Sequence, residues 1–160
     1  MELSTVRVDI PEGCNIILGQ THFIKTAEDL YEICATTLPG ARYGIAFSEA
    51  SGARLVRRED NDGELGAAAA EHALRIGAGH TFVIFLRQAF PIHVLNAVKQ
   101  CAEVCTVHCA TANPTEILVA VTPGGRGVVG VIDGQPPLGV EDASGVAWRR
   151  DFLMKIGYKR

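Results

Sequence analysis

Several residues with reactive or ligand-binding side chains sit at the ends of apolar runs. His80 closes the glycine-bounded GAGH loop, where a helix should end and an apolar strand begin. An imidazole titrates near neutrality, so it can serve as nucleophile or acid–base, and Gly79 beside it permits a phosphate to approach closely. A structural hydrogen bonder is the plainer alternative. Asp133 ends the run GVVGVI just before Gly134, and Thr111 and Asn113 lie in CATANP. Asp-Gly and Asn-Pro pairs are ordinary turn formers. At the end of a buried strand the same groups can meet a ligand. An asparagine amide can read a purine edge or hold a ribose hydroxyl, and Asp133 can accept from a ribose hydroxyl or hold Mg2+.

Charged residues supply a second set. Arg57 and Arg58 are followed by Asp60, Asn61 and Asp62. This is either a solvated turn with local ion pairs, or a phosphate fork with an acid such as Asp62 for a divalent ion. Lys25, in HFIKT before a helix, is a phosphate candidate because helix N-terminal amides favour anions. Glu49, near Ser51 and Gly52, is open to the same two readings. Cys101, Cys105 and Cys109, with His108, lack the C-x-x-C knuckle of a metal site and are expected as buried thiols. His72, in an Ala-rich helix, is expected to be structural. The chain has no G-x-G-x-x-G or P-loop fingerprint, no G-x-S-x-G elbow, and no H-R-D or D-F-G set.

The scaffold that must position these groups reads as ββ-α-ββ-α-β-α-ββ-β-α. Val6, Val8 and Ile10 alternate in a strand ended by Pro11 and Gly13, expected to pair with NIILG across PEG. Thr26 can cap a helix with Leu30, Ile33, Cys34 and Leu38 inward, stopped by Pro39-Gly40. RYGIAFSEA and ARLVRRE form a hairpin, and Asn61 or Asp62 caps the helix ELGAAAAEHALRI. HTFVIFL is apolar throughout, as in a central strand covered on both faces. Pro91 opens a helix through Lys99 or Cys101. EVCTVH, TEILVAV and VVGVID are strands. Asp142 or Ser144 caps a last helix whose Val146, Arg149, Phe152, Leu153 and Ile156 make one packed side. The expected fold is α+β: a single domain over residues 1–160 with a mixed β-sheet, hairpins and packed crossover helices.

The bulk numbers narrow the function. At 160 residues, 48% hydrophobic and 21% charged, the chain suits one folded domain. A net charge of −3 argues against a broad nucleic-acid face. No stretch reads as a membrane span or secretory signal. Five cysteines without a scaffold pattern point to a reducing cytoplasm.

Taken together, GQTHFIKTAEDLYE, FSEASGARLVRREDND, IGAGHTFVIFL, PIHVLNAVK, CATANP and GRGVVGVIDGQPPLGVE resemble the adenosine-specific kinase family, from about Glu12 to Tyr158. The resemblance implies an α+β domain assembled as a homo-oligomer, with a trimer favoured. It implies adenosine or AMP as ligand, ATP or another adenine nucleotide with Mg2+ as cofactors, and phosphoryl transfer through a phosphohistidine. His80 is the preferred match to that histidine and His22 the reserve. Thr111, Asn113 and Asp133 would then surround the nucleoside and phosphates in one pocket with His80. Arg57 and Lys25 would offset phosphate charge, and Asp62 or Asp133 would support Mg2+. The chain departs from the family pattern at His93, where the P-I-x-V-L block more usually carries asparagine. The alternative is a nucleotide-binding sensor or regulator without turnover.

Overall fold

The apolar run TFVIFL has two inward faces. Phe82, Ile84 and Leu86 point to one side, Val83 and Phe85 to the other, and all are fully buried. Strand side chains alternate, so a run of this kind needs cover on both sides of its sheet. In the computed structural model, which describes residues 1–159, the run lies in β5. The elements are β1 (Glu2–Val8), β2 (Cys14–Thr21), α1 (Thr26–Thr37), β3 (Arg42–Ser48), β4 (Val56–Asp60), α2 (Gly63–Ile76) and β5 (Thr81–Arg87). After a 3-10 turn (Pro91–His93) come α3 (Leu95–Gln100), β6 (Val104–Thr111), β7 (Thr115–Thr122), β8 (Gly125–Asp133) and α4 (Ala143–Lys155).

One sheet has the order β4-β3-β5-β2-β6 and the other β1-β7-β8. The α+β class expected from the sequence holds, but two sheets stand where one mixed sheet was expected, and every pairing is antiparallel. The helical connections explain this. α1 joins β2 to β3, α2 joins β4 to β5, and α3 joins β5 to β6, and each time one antiparallel strand lies between the two joined. The joined strands run parallel to each other without pairing.

On one face of the larger sheet, Leu30 and Cys34 of α1 and Val98 of α3 pack against Ile17, Ile45, Phe82 and Ile84. On the other face, Leu65, Ala69, Ala73 and Ile76 of α2 meet Leu18, Val83 and Phe85, and the smaller sheet adds Val6, Val8, Ile117 and Val119. Burying each large apolar side chain contributes about 1.5–3 kcal/mol. Asp62 caps α2 as expected, accepting from the N–H groups of Glu64 (3.1 Å) and Leu65 (3.4 Å).

Other expectations are corrected. β1 and β2 do not pair across PEG: β5 and β6 take both edges of β2, and β1 instead sets Val6 opposite Ile117 of β7. Thr26 is not the cap of α1. It lies inside the first turn and its hydroxyl donates back to the Phe23 carbonyl, while Lys25 occupies the cap position without a side-chain bond to the helix N–H groups. The Pro91 helix is broken, its first turn 3-10 in character. Cys105 is exposed, not a buried thiol, because its edge strand β6 turns it outward. The packed side expected of α4 is absent: the helix has no buried residue, Trp148 is 68% exposed, and Arg149 pairs with Glu141.

Candidate functional site

His80 stands where the exit loop of α2 enters β5. Its φ of +60° is left-handed, which costs an L-residue about 1–2 kcal/mol. Both strands that flank β5 hold it there. Its N–H donates to the Ser48 carbonyl at 2.7 Å, and its carbonyl accepts from the Thr21 N–H at 2.9 Å and the Thr21 hydroxyl at 3.3 Å. The ring lies over Phe47, with centroids 5.8 Å apart and planes 20° from parallel. The rings of His72 and His93 are engaged, by Ala68 and Asp9 and by Phe90. Among the described residues, the His80 ring has no such partner. Gly79 is required beside it, since a Cβ there would come within 2.7 Å of the Ala50 methyl.

Two hollows meet at His80, Glu49 and Ala50. The smaller, about 430 Å3, is walled by His22, Phe23, Phe47 and Arg57. The larger, about 570 Å3, is walled by Ser48, Arg54, the Gly77–Gly79 loop and Arg126 with its preceding glycines. Both volumes fall in the range of small-molecule sites. Glu49 ties the hollows together. Its carboxylate accepts from the Leu55 N–H at 2.8 Å and from Arg57 Nη2 at 2.7 Å and Nε at 3.0 Å. The Leu55 amide first, then Arg57, holds its pKa below the usual carboxylate range.

Sequence candidates therefore divide. His80, Gly79, Glu49, Arg57 and the reserve His22 come together. Lys25 does not join them: its ammonium lies between Asp29 and Glu103. Glu103, accepting from the Cys101 thiol and lying beside Lys25, has its pKa pulled down to about 2. Asp62 is at the other end of α2, a 14-residue helix roughly 20 Å long. Thr111, Asn113 and Asp133 do form a cluster, but not at His80. Asp133 Oδ1 accepts from the Thr111 hydroxyl at 2.8 Å and the Asn113 amide at 2.9 Å. Gly125, at the start of β8, lines the larger hollow, and Asp133 ends that strand eight residues on, roughly 25 Å away. The single pocket expected for Asp133, Asn113 and His80 is not formed within one chain.

Magnesium takes carboxylate, phosphate and water oxygens. The residues at His80 do not fit a protein-held Mg2+ ion, because Glu49, the one carboxylate there, is occupied by Arg57 and Leu55. Asp62 spends one oxygen on the α2 cap and turns the other toward Arg87 at 3.8 Å. Among the described residues, the one acid–thiol group close enough to share a metal is Asp29, Cys101 and Glu103, and the Lys25 ammonium already lies against both carboxylates.

Arg126, Arg54 and Ser48 complete the larger hollow and were not among the sequence candidates. An arginine leading an apolar strand under another layer is a usable signal, and it marks Arg126. No signal marks Ser48, whose burial follows from the position of α2.

Comparison with known proteins agrees with this fold. The chain is similar to the crystal structure of the PH1918 protein from Pyrococcus horikoshii OT3, at 41% identity and a TM-score of 0.95, covering 99% of this chain and 98% of that one. No curated protein matches the chain significantly. The profile of the family described as "Adenosine specific kinase" matches residues 6–159, nearly the whole length. The chain belongs to the adenosine specific kinase family.

Proposed function

We propose that the protein binds adenosine and adenine nucleotides and transfers a phosphoryl group between them through His80. The observation that carries this is the His80 ring itself, exposed to two hollows, backed by Phe47 and without a hydrogen-bond partner among the described residues. In the first step a ring-nitrogen lone pair attacks the terminal phosphorus of ATP. The N–P bond forms as the bond from phosphorus to the bridging oxygen breaks, and that oxygen leaves with the electron pair on ADP. In the second step the adenosine 5′-hydroxyl oxygen attacks the same phosphorus. The N–P bond breaks, its pair returns to the imidazole, and the hydroxyl proton passes to the ring or to solvent. Arg57, paired with Glu49, lines the smaller hollow, where Phe23 and His22 supply ring faces for a purine.

Incubation with γ-labelled ATP followed by alkaline quench tests this, because a phosphohistidine survives base and is lost in acid. Label expected on the wild-type chain should be missing from a folded His80→Ala protein. Equal labelling of that variant sinks the assignment, and His22→Ala then tests the reserve.

The binding-only reading is favoured by one observation: Glu49 is occupied, so no free carboxylate stands at His80 to take a proton. Sustained adenosine-dependent release of ADP defeats that reading. We also assign the chain to a homo-oligomer, a trimer in line with the family resemblance. Support comes from the apolar surface of its last third, where Val129, Leu138, Val140, Trp148, Phe152 and Met154 are all exposed. The free cysteines suit a reducing cytoplasm.

A further inference from the structure

We infer that the larger hollow beside His80 is an oligophosphate subsite, in which Arg126 is the principal anion ligand, aided by Ser48 and Arg54. The inference rests on the phosphoryl-transfer reading and assigns to this hollow the phosphate chain of the donor nucleotide, leaving the nucleoside acceptor to the aromatic hollow on the other side of His80.

Arg126 is the strongest observation. Its Nε is buried without a hydrogen-bond partner. Among the described residues its guanidinium forms no ion pair, although Arg57, Arg58, Arg75, Arg87 and Arg149 each do. Its side chain lies against the backbone of Gly77, where a Cβ would come within 3.1 Å of Nη1 and 3.3 Å of Cδ. The C-terminal carbonyls of α2 offset part of this charge, yet Arg126 donates to none of them. A half-buried guanidinium with open donors is matched by an anion presenting several oxygens.

Ser48 is independent evidence. It is only 6% exposed, it lines the same hollow, and its hydroxyl oxygen has no partner. A buried hydroxyl is normally paired, so an orphan facing a cavity marks a place for a ligand atom or a water. Arg54 adds a second cation from the β3–β4 loop, where it is held at a left-handed φ of 53°. The opposing charge is Glu49, and Arg57 balances it. The hollow is therefore left net positive by Arg54 and Arg126. At about 570 Å3 it exceeds what one phosphate fills and extends to the His80 ring.

Calorimetric titration with inorganic tripolyphosphate, and separately with adenosine, tests the assignment. The wild-type protein should bind both together, and raising the salt concentration should weaken the tripolyphosphate alone. Arg126→Gln should lose about 10- to 100-fold in tripolyphosphate affinity, as expected for a charge-assisted contact, while keeping adenosine affinity within about twofold. Ser48→Ala should show a smaller loss in the same direction, and Arg126→Lys a partial one, which also serves should the glutamine variant not fold. Unchanged tripolyphosphate affinity in folded Arg126→Gln overturns the subsite, as does one-for-one competition between tripolyphosphate and adenosine. A His80→Ala protein that binds tripolyphosphate normally yet still takes label would overturn the phosphohistidine and leave the subsite standing.

Discussion

At one end of β8, Asp133 accepts hydrogen bonds from Thr111 and Asn113; at the other, Arg126 ends in a hollow with its Nε unpaired. Both are polar residues bounding the same apolar strand. The exposed Asp133 is braced by its own turn: Asn113 N–H donates to the Thr111 hydroxyl at 3.0 Å, and Gly134 N–H to the Pro114 carbonyl at 2.9 Å. An exposed carboxylate that accepts from two neighbouring side chains through one oxygen braces a turn. A buried donor without a partner, as at Arg126, is costly to leave unmatched, and that cost is the ground for the subsite inferred there.

Experiments can break that comparison. The largest effect is expected at His80, where alanine should abolish the acid-labile label entirely in a protein that still melts cooperatively. Arg126→Gln should follow with its loss of tripolyphosphate binding. Asp133→Ala should behave in the opposite way, lowering the stability measured by urea unfolding by about 1–2 kcal/mol through two lost bonds, with adenosine affinity held within about twofold. Collapse of adenosine binding in that variant would place Asp133 at a ligand after all and end the distinction drawn between the two ends of β8.

A smaller effect concerns acid. Glu103 is held charged in the fold, with its pKa moved from 4.5 to about 2. A depressed carboxylate pKa means that the unfolded chain binds the proton more readily. Its stabilising contribution is thus complete above pH 4.5 and lost as the pH falls toward 2. Urea midpoints compared at pH 6 and pH 3 should fall less for Glu103→Gln than for the wild type, and an equal fall discards Glu103 as a cause. The smallest effect per residue is on assembly. Single polar substitutions at Trp148 or Phe152 should shift sedimentation toward smaller species, and a wild-type chain that stays monomeric at micromolar concentrations removes the oligomer.

Much of this was legible in the sequence, for reasons that can be located. The apolar run at β5 announced a strand covered on both faces, and Asp62 before the Ala-rich helix announced its cap. Thr111, Asn113 and Asp133 come together in the fold because antiparallel pairing sets Thr115 opposite Asp133. What failed was joining that group to His80. A sequence shows that a residue ends a strand, but not at which end of the sheet it falls, and β8 carries its two termini to opposite ends. Arg126 visibly heads its strand in the sequence, but its unpaired donor is defined by the absence of neighbours, which only the packed chain reveals. The pairing of β1 depended on both edges of β2 being filled from segments far along the chain.

That interleaving has a kinetic consequence. Of the six strand pairings, only β3–β4 and β7–β8 join neighbours in sequence, while β1–β7, β2–β5, β2–β6 and β3–β5 close long stretches of chain. Each long closure loses entropy before its contacts form. Refolding should therefore proceed on the millisecond-to-second scale of non-local topologies, with the two hairpins as its early structure. His80, tied at once to β2 and β3, reaches its final conformation only when β5 has been inserted between them.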